Sequence, residues 1–181
     1  MRVHDLLEID ALCDPPFVVV RRGAITADEI PIGIRGVRRN ERWATTCHPK
    51  HVKRILTPQS LLARAIPDRP MPALHALRLL KERWPPNWGP GGSVGFELAT
   101  GAPVVTPDSD LDAVIYAPNP IDITEARNLL EATRNLPAAV DIRVETPHVG
   151  FSLAEYVAHP GAKILLKTPQ GAVLGTDPWR S

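Results

Sequence analysis

Cysteine is scarce in this sequence of 181 residues, which contains only Cys13 and Cys47. The two do not form a CxxC pair, so neither a disulfide framework nor a structural zinc site is indicated. Long apolar runs are also lacking, because no segment approaches the ~18 consecutive apolar residues of a membrane span. The N-terminal segment carries acidic residues through its apolar part, unlike a signal peptide. We therefore expect a cytoplasmic protein that has no membrane partner.

The chain also lacks a strong net charge, at +1, and only 5% of its residues are aromatic. Interleaved basic and aromatic residues, typical of nucleic-acid-binding modules, are missing, so such a non-enzymatic module is the less favoured alternative function. The near-neutral sum hides an asymmetry: residues 1–90 contain 15 Lys and Arg against 9 Asp and Glu, and residues 91–181 contain 6 against 11. A basic half suits a polyphosphate or an acidic partner, and an acidic half suits metal ions.

Proline, by contrast, is abundant. Its twenty residues are spread along the chain, at about twice the average usage, which indicates many short elements. The segment PPNWGPGG at 85–92 is the predicted boundary between a smaller Arg-rich α+β lobe over 1–84 and a catalytic domain over 85–181. The order of helices and strands in the second half predicts an α/β or α+β fold, with a mixed sheet flanked by helices.

In the first half, HDLLEI predicts a short helix, while PFVVVRR and IPIGIRGVRR predict strands. TPQSLLARA opens with a threonine in an N-cap position and a proline at the first helical position, which predicts a helix start. The leucine spacing of MPALHALRLLKERW predicts a longer helix that ends at the following prolines.

In the second half, GSVGFELATG predicts a helix from Ser93, on which Glu97 is expected at the surface. DITEARNLLEATRNL predicts an amphipathic helix with a capping box at Asp122, and FSLAE has the spacing of a second capping box. AAVDIRVETP predicts a strand that carries Asp141, and ILLKTPQGAVLG predicts a hairpin.

The stretch DSDLDAVIY, residues 108–116, places three carboxylates directly before an apolar strand. Residues two apart share a face of a strand, so Asp110 and Asp112 begin on backbone sites roughly 7 Å apart. Their repulsion would cost on the order of 2 kcal/mol at an effective dielectric constant of ~20. A divalent cation turns this cost into binding free energy, and Mg²⁺ suits one or two carboxylates. Asp108 follows a proline and is interpreted as a turn residue.

Seventeen residues before Asp110 lies Ser93, in the segment GPGGSVG. Glycines at a helix N-terminus let backbone N–H groups approach a phosphate, and the helix dipole favours its negative charge. Gly92 and Ser93 are therefore the predicted phosphate-binding residues. A phosphate site beside a pair of metal-binding acids, with a third acid at Asp141, is the minimum apparatus of phosphoryl or nucleotidyl transfer.

The order GS, DSDLDAVI and VDIRVE resembles the nucleotidyltransferase superfamily. The longer strings GPGGSVGFELATG and TPDSDLD resemble one family within it more closely, the phosphoribosyl-dephospho-CoA transferases, which are the malonate decarboxylase holo-acyl-carrier-protein synthases. HDLLEI and IPIGIRGVRRNERWA are also similar to that family, so the resemblance covers nearly the whole chain. One departure is that the strand usual before Gly-Ser is here compressed into NWGP.

The resemblance implies a reaction, a cofactor and partners. The reaction is transfer of a phosphoribosyl-dephospho-CoA group from 2′-(5″-triphosphoribosyl)-3′-dephospho-CoA to a serine of the apo acyl-carrier subunit of malonate decarboxylase, with release of diphosphate. Asp110 and Asp112 match the catalytic aspartates of the family, and with Asp141 they would hold Mg²⁺ or Mn²⁺. An alternative keeps the fold and uses a nucleoside triphosphate on a small molecule, a protein or RNA, because fold alone does not determine the substrate.

A group of arginines in the first half is the predicted binding site for the donor triphosphate or for the acidic carrier subunit. Arginine matches phosphate oxygens with its planar fork. The prediction applies to the group and not to one member; its residues are Arg35, Arg38, Arg39 and Arg42.

Overall fold

Two β-sheets and five helices organise the fold, and the computed structural model describes it at residues 1–10, 16–36, 41–85 and 87–180. The first sheet has the strand order β4-β3-β2-β1-β5, and every pairing in it is antiparallel. Its strands are β1 Leu6–Ile9, β2 Phe17–Val20, β3 Ile30–Arg35, β4 Arg42–Cys47 and β5 Val52–Leu56. The predicted strands in PFVVVRR and IPIGIRGVRR are confirmed as β2 and β3.

The predicted helix in HDLLEI is wrong, because Leu6–Ile9 forms strand β1. This strand lies between β2 and β5, and it is buried on both faces. Leu7 packs in a small core within the first sheet, whereas Leu6 packs in the main core of the molecule. A central strand that is buried on both faces shows no alternation of apolar and polar residues, so a short apolar run does not distinguish it from a helix.

The second sheet has the order β11-β10-β9-β8-β7-β6, in which only the β7–β8 pairing is parallel among the described residues. Helix α4, Ile123–Glu131, makes the crossover between these two parallel strands. The strands are β6 Trp88–Pro90, β7 Leu111–Tyr116, β8 Val140–Glu145, β9 Gly150–Ser152, β10 Ile164–Thr168 and β11 Gly171–Gly175. The predicted mixed sheet and the predicted hairpin at the end of the chain are therefore confirmed.

The helices begin where their capping residues predict in most cases. They are α1 Pro58–Leu61, α2 Pro72–Arg83, α3 Gly92–Thr100, α4 Ile123–Glu131 and α5 Leu153–Ala158. The side chain of Thr57 accepts a hydrogen bond from Ser60 N at 3.1 Å, and Asp122 accepts one from Thr124 N at 2.7 Å.

The capping box predicted in FSLAE is wrong. Ser152 makes no side-chain cap hydrogen bond, and Glu155 instead accepts one from Leu165 N of β10 at 2.9 Å. The carboxylate therefore links α5 to the neighbouring strand and does not cap its own helix. Tertiary packing determines this contact, so the local spacing of residues could not predict it.

One main core runs through both parts of the chain. It includes Leu6 and Phe17 of the first sheet, the buried leucines of α2, and Leu111 of β7. At the predicted boundary, Trp84 and Trp88 pack edge to face with ring centroids 5.0 Å apart. The core is therefore continuous across this segment, and the division into residues 1–84 and 85–181 stays a prediction. In the part of the chain that the structure describes, no helix combines the length and the apolar character needed to span a bilayer.

Candidate active site

The two predicted catalytic aspartates lie at the edge of a cleft between the sheets, of about 690 Å³. Asp110 directly precedes β7, and Asp112 is its second residue. Asp112 and Val114 line the cleft, while Leu111 and Ala113 are fully buried in the core on the opposite face. The strand alternation predicted for this segment therefore places the carboxylate of Asp112 towards the cleft.

Asp141 is the neighbour of Asp112 on the adjacent parallel strand β8, in direct register. Adjacent strands lie ~4.8 Å apart, so the two carboxylates begin from neighbouring backbone sites. Asp141 accepts a hydrogen bond from Arg143 Nη2 at 3.1 Å. Burial raises the pKa of Asp112, and the negative charges of Asp110 and Asp141 raise it further. The fold thus makes the three predicted acids electrostatic neighbours.

The glycine-rich segment before α3 packs directly against the acidic strand. NWGP forms β6, which pairs with β7, and Gly91 N donates a hydrogen bond to the carbonyl oxygen of Asp112 at 2.8 Å. Gly92 has φ +52°, a left-handed conformation, and a Cβ placed on it would overlap the Oδ2 atom of Asp112. The start of α3 therefore touches the Asp112 carboxylate, and only glycine fits there.

Ser93, the second predicted phosphate-binding residue, lines a smaller recess of about 230 Å³ that opens beside the acids. Asp110 and Asp112 line the same recess, and so do Arg35 and Arg42 from the first sheet. The N-terminus of a nine-residue helix, two carboxylates and two guanidinium groups thus meet around one space. These groups match a polyphosphate that is held together with a divalent cation.

Two of the four arginines predicted as a group face the cleft. Arg35 on β3 and Arg42 on β4 are direct cross-strand neighbours, which places their side chains on the same face of the sheet. Arg35 also stands over the ring of Phe96 in α3, 5.6 Å from its centroid. Like charges directly opposite each other are destabilising, and an anion between them would offset this repulsion. Arg38 and Arg39 lie outside the described residues.

The divalent cation predicted from the sequence fits the site through one or two carboxylates. Among the residues that the structure describes, no three His, Cys, Asp or Glu side chains are grouped to hold a metal ion together. Mg²⁺ usually takes only one or two protein carboxylates and fills its other positions with water and substrate phosphates. Asp110 and Asp112 can supply these ligands. Burial is the main cause of the raised pKa of Asp112, and a cation would relieve the additional repulsion from Asp110 and Asp141.

Glu97 was expected at the surface, and this expectation is wrong. It is 1% exposed and accepts a hydrogen bond from Val105 N at 2.7 Å. Arg69 approaches it at 3.5 Å and donates to the carbonyl oxygen of Val105 at 2.6 Å. These contacts hold the segment between α3 and Asp110, in which Asp108 occupies the predicted turn. The sequence around Glu97 contains no pattern that predicts its hydrogen bond to Val105, eight residues later in the following loop.

The sequence interpretation also missed basic residues that line the cleft beyond the predicted arginines: His4, Arg21, Arg22, Arg143 and Lys167. Arg143 had a detectable signal, because it lies two residues after Asp141 and therefore on the same face of β8. The others come from distant parts of the chain, and only the arrangement of the two sheets brings them to one surface.

A buried ion pair joins the two sheets at the back of the cleft. Glu145 is 4% exposed, and it accepts hydrogen bonds from Arg22 Nη2 at 2.6 and 2.5 Å. His4 Nε2 lies 3.0 Å from the same carboxylate. Burial would raise the pKa of Glu145, but the hydrogen bonds from His4 and Arg22 outweigh it, and the pKa is lowered. The carboxylate thus fixes His4 and Arg22, which flank strands β1 and β2 of the first sheet, against the second sheet.

Replacing Gly92 with Ala is expected to reduce turnover at least tenfold, because the new methyl group must displace the Asp112 carboxylate. The matched control is Gly161→Ala. Gly161 also has a positive φ, of +75°, but a Cβ there meets nothing within 4 Å. Both variants should lose about 1 kcal/mol of stability through backbone strain, and Gly92→Ala should lose more because of the overlap with Asp112. Thermal unfolding measures these losses, and only Gly92→Ala should lose activity. Equal activity in the two variants would contradict the contact between Gly92 and Asp112.

Comparison with known proteins gives a consistent family assignment. The family model described as "Phosphoribosyl-dephospho-CoA transferase MdcG C-terminal domain" matches residues 59–178, and the corresponding N-terminal domain model matches residues 2–58. A protein of Klebsiella pneumoniae named phosphoribosyl-dephospho-CoA transferase is 37% identical over 167 residues, which cover 90% of this chain and 80% of that protein.

Two proteins from Pseudomonas carry the same name. The one from Pseudomonas syringae pv. tomato is 37% identical over 177 residues, covering 94% of this chain and 82% of its own length. The one from Pseudomonas aeruginosa is 38% identical over 169 residues, covering 90% and 79%. No solved structure matches the chain significantly.

Proposed function

The chain belongs to the phosphoribosyl-dephospho-CoA transferase family, and on this premise we propose that it acts on the acyl-carrier subunit of malonate decarboxylase. The group transferred is phosphoribosyl-dephospho-CoA, the donor is 2′-(5″-triphosphoribosyl)-3′-dephospho-CoA, and the acceptor is a serine hydroxyl. The observation that carries the proposal is the meeting of Asp110, Asp112, Ser93 and two arginines around one recess.

The reaction is the attack of an alcohol on a phosphorus atom. The serine oxygen forms a bond to the α-phosphorus of the donor, the bond from that phosphorus to the bridging oxygen breaks, and diphosphate leaves with this oxygen. The serine proton is released. Negative charge grows on the leaving diphosphate, so positive groups fixed beside it lower the barrier.

Asp110 and Asp112 are the residues that would hold Mg²⁺ or Mn²⁺. When bound, such an ion neutralises phosphate oxygens and polarises the phosphoryl group. Asp141, which is in register with Asp112 and hydrogen-bonded to Arg143, is the third acid of this proposal. It lies on β8, on the side of Asp112 opposite to the strand that leads into α3.

The triphosphate is proposed to lie between the N-terminus of α3 and the first sheet. Backbone N–H groups at the first turn of a helix are free to bind phosphate oxygens, and the helix dipole adds to the attraction. Arg35 and Arg42 supply guanidinium groups from the opposite wall. The basic first half and the acidic second half of the chain each contribute one wall of this recess.

Mass spectrometry of the acceptor tests the proposed function. Apo acyl-carrier subunit incubated with the protein, the donor and Mg²⁺ is expected to gain the mass of one phosphoribosyl-dephospho-CoA group on a serine. Parallel incubations replace the donor with each nucleoside triphosphate. An adduct that forms only with a nucleoside triphosphate, or on a different acceptor, would contradict the proposal and support the alternative nucleotidyltransferase.

A further inference from the structure

A second group of basic residues lines the cleft on the side of the acids away from Ser93. Arg143 on β8 is in register with Val114, two residues beyond Asp112, and Lys167 on β10 is in register with Gly150 of β9. Arg22 reaches this surface from the first sheet through its ion pair with Glu145. We call Arg22, Arg143 and Lys167 the distal basic cluster. Among the described residues, no member of the distal basic cluster lines the smaller recess formed by Ser93, Arg35 and Arg42.

Two members of the distal basic cluster, Arg22 and Arg143, are held by carboxylates of the second sheet. The Glu145 carboxylate binds Arg22 through two hydrogen bonds. Gly150 lies directly beside this pair, and a Cβ on it would overlap Arg22 Nη2 and crowd both carboxylate oxygens. A single hydrogen bond to the more exposed Asp141 positions Arg143. Side chains that are fixed before binding lose little conformational entropy when a ligand arrives.

The cluster also carries more positive charge than its acids offset. Within the described ranges of the chain, no carboxylate forms an ion pair with the half-buried Lys167, whereas Arg22 and Arg143 each have one. Burial lowers the pKa of Lys167, and the positive charge of Arg143 lowers it further. A half-buried ammonium group that repels its basic neighbours favours the binding of an anion.

The proposed donor contains two polyphosphates. One is the triphosphate on the second ribose, and the other is the diphosphate that links adenosine to pantetheine in dephospho-CoA. The two ribose rings separate them. Since the cleft has one basic group on each side of Asp112, we propose that the distal basic cluster binds the diphosphate bridge of the dephospho-CoA part of the donor. This inference rests on the proposed function.

A small anion fits the cluster better than an acidic protein surface does. The side chains of Arg22 and Arg143 are only 18% and 28% exposed, and both line the inner wall of the cleft. Carboxylates of a folded carrier protein extend little beyond its backbone, whereas an extended dephospho-CoA chain can lie along a cleft between two sheets. Arginine and lysine in such a site would distinguish a dephospho-CoA donor from a nucleoside triphosphate, which has only one polyphosphate.

Two separate probes test this inference by calorimetry: dephospho-CoA, which lacks the triphosphate, and inorganic tripolyphosphate with Mg²⁺. Lys167→Ala should weaken dephospho-CoA binding at least tenfold and leave tripolyphosphate binding within twofold. Arg143→Ala should also weaken dephospho-CoA binding at least tenfold. Arg42→Ala should show the opposite pattern to Lys167→Ala. Lys163→Ala removes the same charge from an exposed position and serves as the matched control, with no expected change for either probe.

The outcomes that overturn the inference are distinct from those that overturn the proposed function. Unchanged dephospho-CoA binding in both Lys167→Ala and Arg143→Ala would overturn the inference alone. A rise in the acceptor KM of these variants without a change in dephospho-CoA affinity would assign the cluster to protein docking and would also overturn it. A wild-type protein that binds nucleoside triphosphates but not dephospho-CoA would overturn the proposed function, and the inference with it.

Discussion

Asp112→Asn and Asp110→Asn are each expected to lower turnover by roughly 10²–10³-fold or more while the fold is retained. Each substitution removes one of the two carboxylates that line both the cleft and the smaller recess. The measurement is the initial rate of acceptor modification at saturating donor and Mg²⁺, with circular dichroism as the check on folding. Asp68→Asn, on the fully exposed surface, is the matched control and should keep wild-type turnover.

The stability of the apo Asp112→Asn variant should differ from wild type in a way that depends on pH. Because the pKa of Asp112 is raised in the folded protein, its ionised form destabilises the fold at neutral pH. This cost disappears as the pH falls towards the ordinary value of 3.8. Thermal unfolding without metal should therefore show the variant at least as stable as wild type at pH 7, with the advantage shrinking on acidification. Near-normal turnover with Mg²⁺, or an apo variant much less stable than wild type at pH 7, is the result that contradicts the two-carboxylate site.

Glu145→Gln is expected to cause the largest loss of stability among these variants. The amide keeps the shape of the side chain but leaves Arg22 half-buried without its carboxylate. Breaking a buried ion pair by removing one partner costs about 3 kcal/mol or more, and for a chain of this length that lowers Tm by roughly 6–12 °C. Differential scanning calorimetry of the complete protein measures the change directly.

The control and the pH dependence make this expectation specific. Glu131→Gln breaks an ion pair with Arg134 whose two side chains are 62% and 73% exposed, and exposed pairs contribute at most about 1 kcal/mol. Since the pKa of Glu145 is lowered, its contribution is present above the ordinary value of 4.5 and is lost as the pH falls through the lowered value. The difference in Tm between wild type and Glu145→Gln should therefore narrow below pH 4.5. A similar Tm for the two variants at pH 7 would show that the pair does not stabilise the fold.

The parts of the site that were predictable from the sequence depend on local periodicity. Residues two apart in a strand must share a face, so the orientation of Asp112 opposite to Leu111 was predictable from spacing alone. The glycines before α3 were predicted only to admit a phosphate, and the contact between Gly92 and Asp112 was not predicted, because it depends on the pairing of β6 with β7. The match to a known family extended these local inferences to nearly the whole chain.

The parts that could not be predicted depend on which strands become neighbours. The position of Lys167 at the cleft follows from the pairing of β10 with β9, which the sequence of the hairpin does not reveal. The position of Arg22 follows from its ion pair with Glu145 of the second sheet. Glu97 was assigned to the surface because acids on helices usually are there, but its partner is a backbone amide in the next loop. The sequence predicted a helix at β1 because four residues are too few for hydrophobic periodicity to distinguish a helix from a buried strand.

The ion pair of Glu145 has a consequence for the kinetics of donor recognition. Opening the two walls of the cleft would separate Arg22 and His4 from a nearly inaccessible carboxylate, so this ion pair opposes movement of the two walls relative to each other. For a cleft of this kind, diffusion and electrostatic attraction should determine the association rate constant of the donor, which should fall as ionic strength rises. The time that the donor stays bound then depends on how many phosphate contacts must break together.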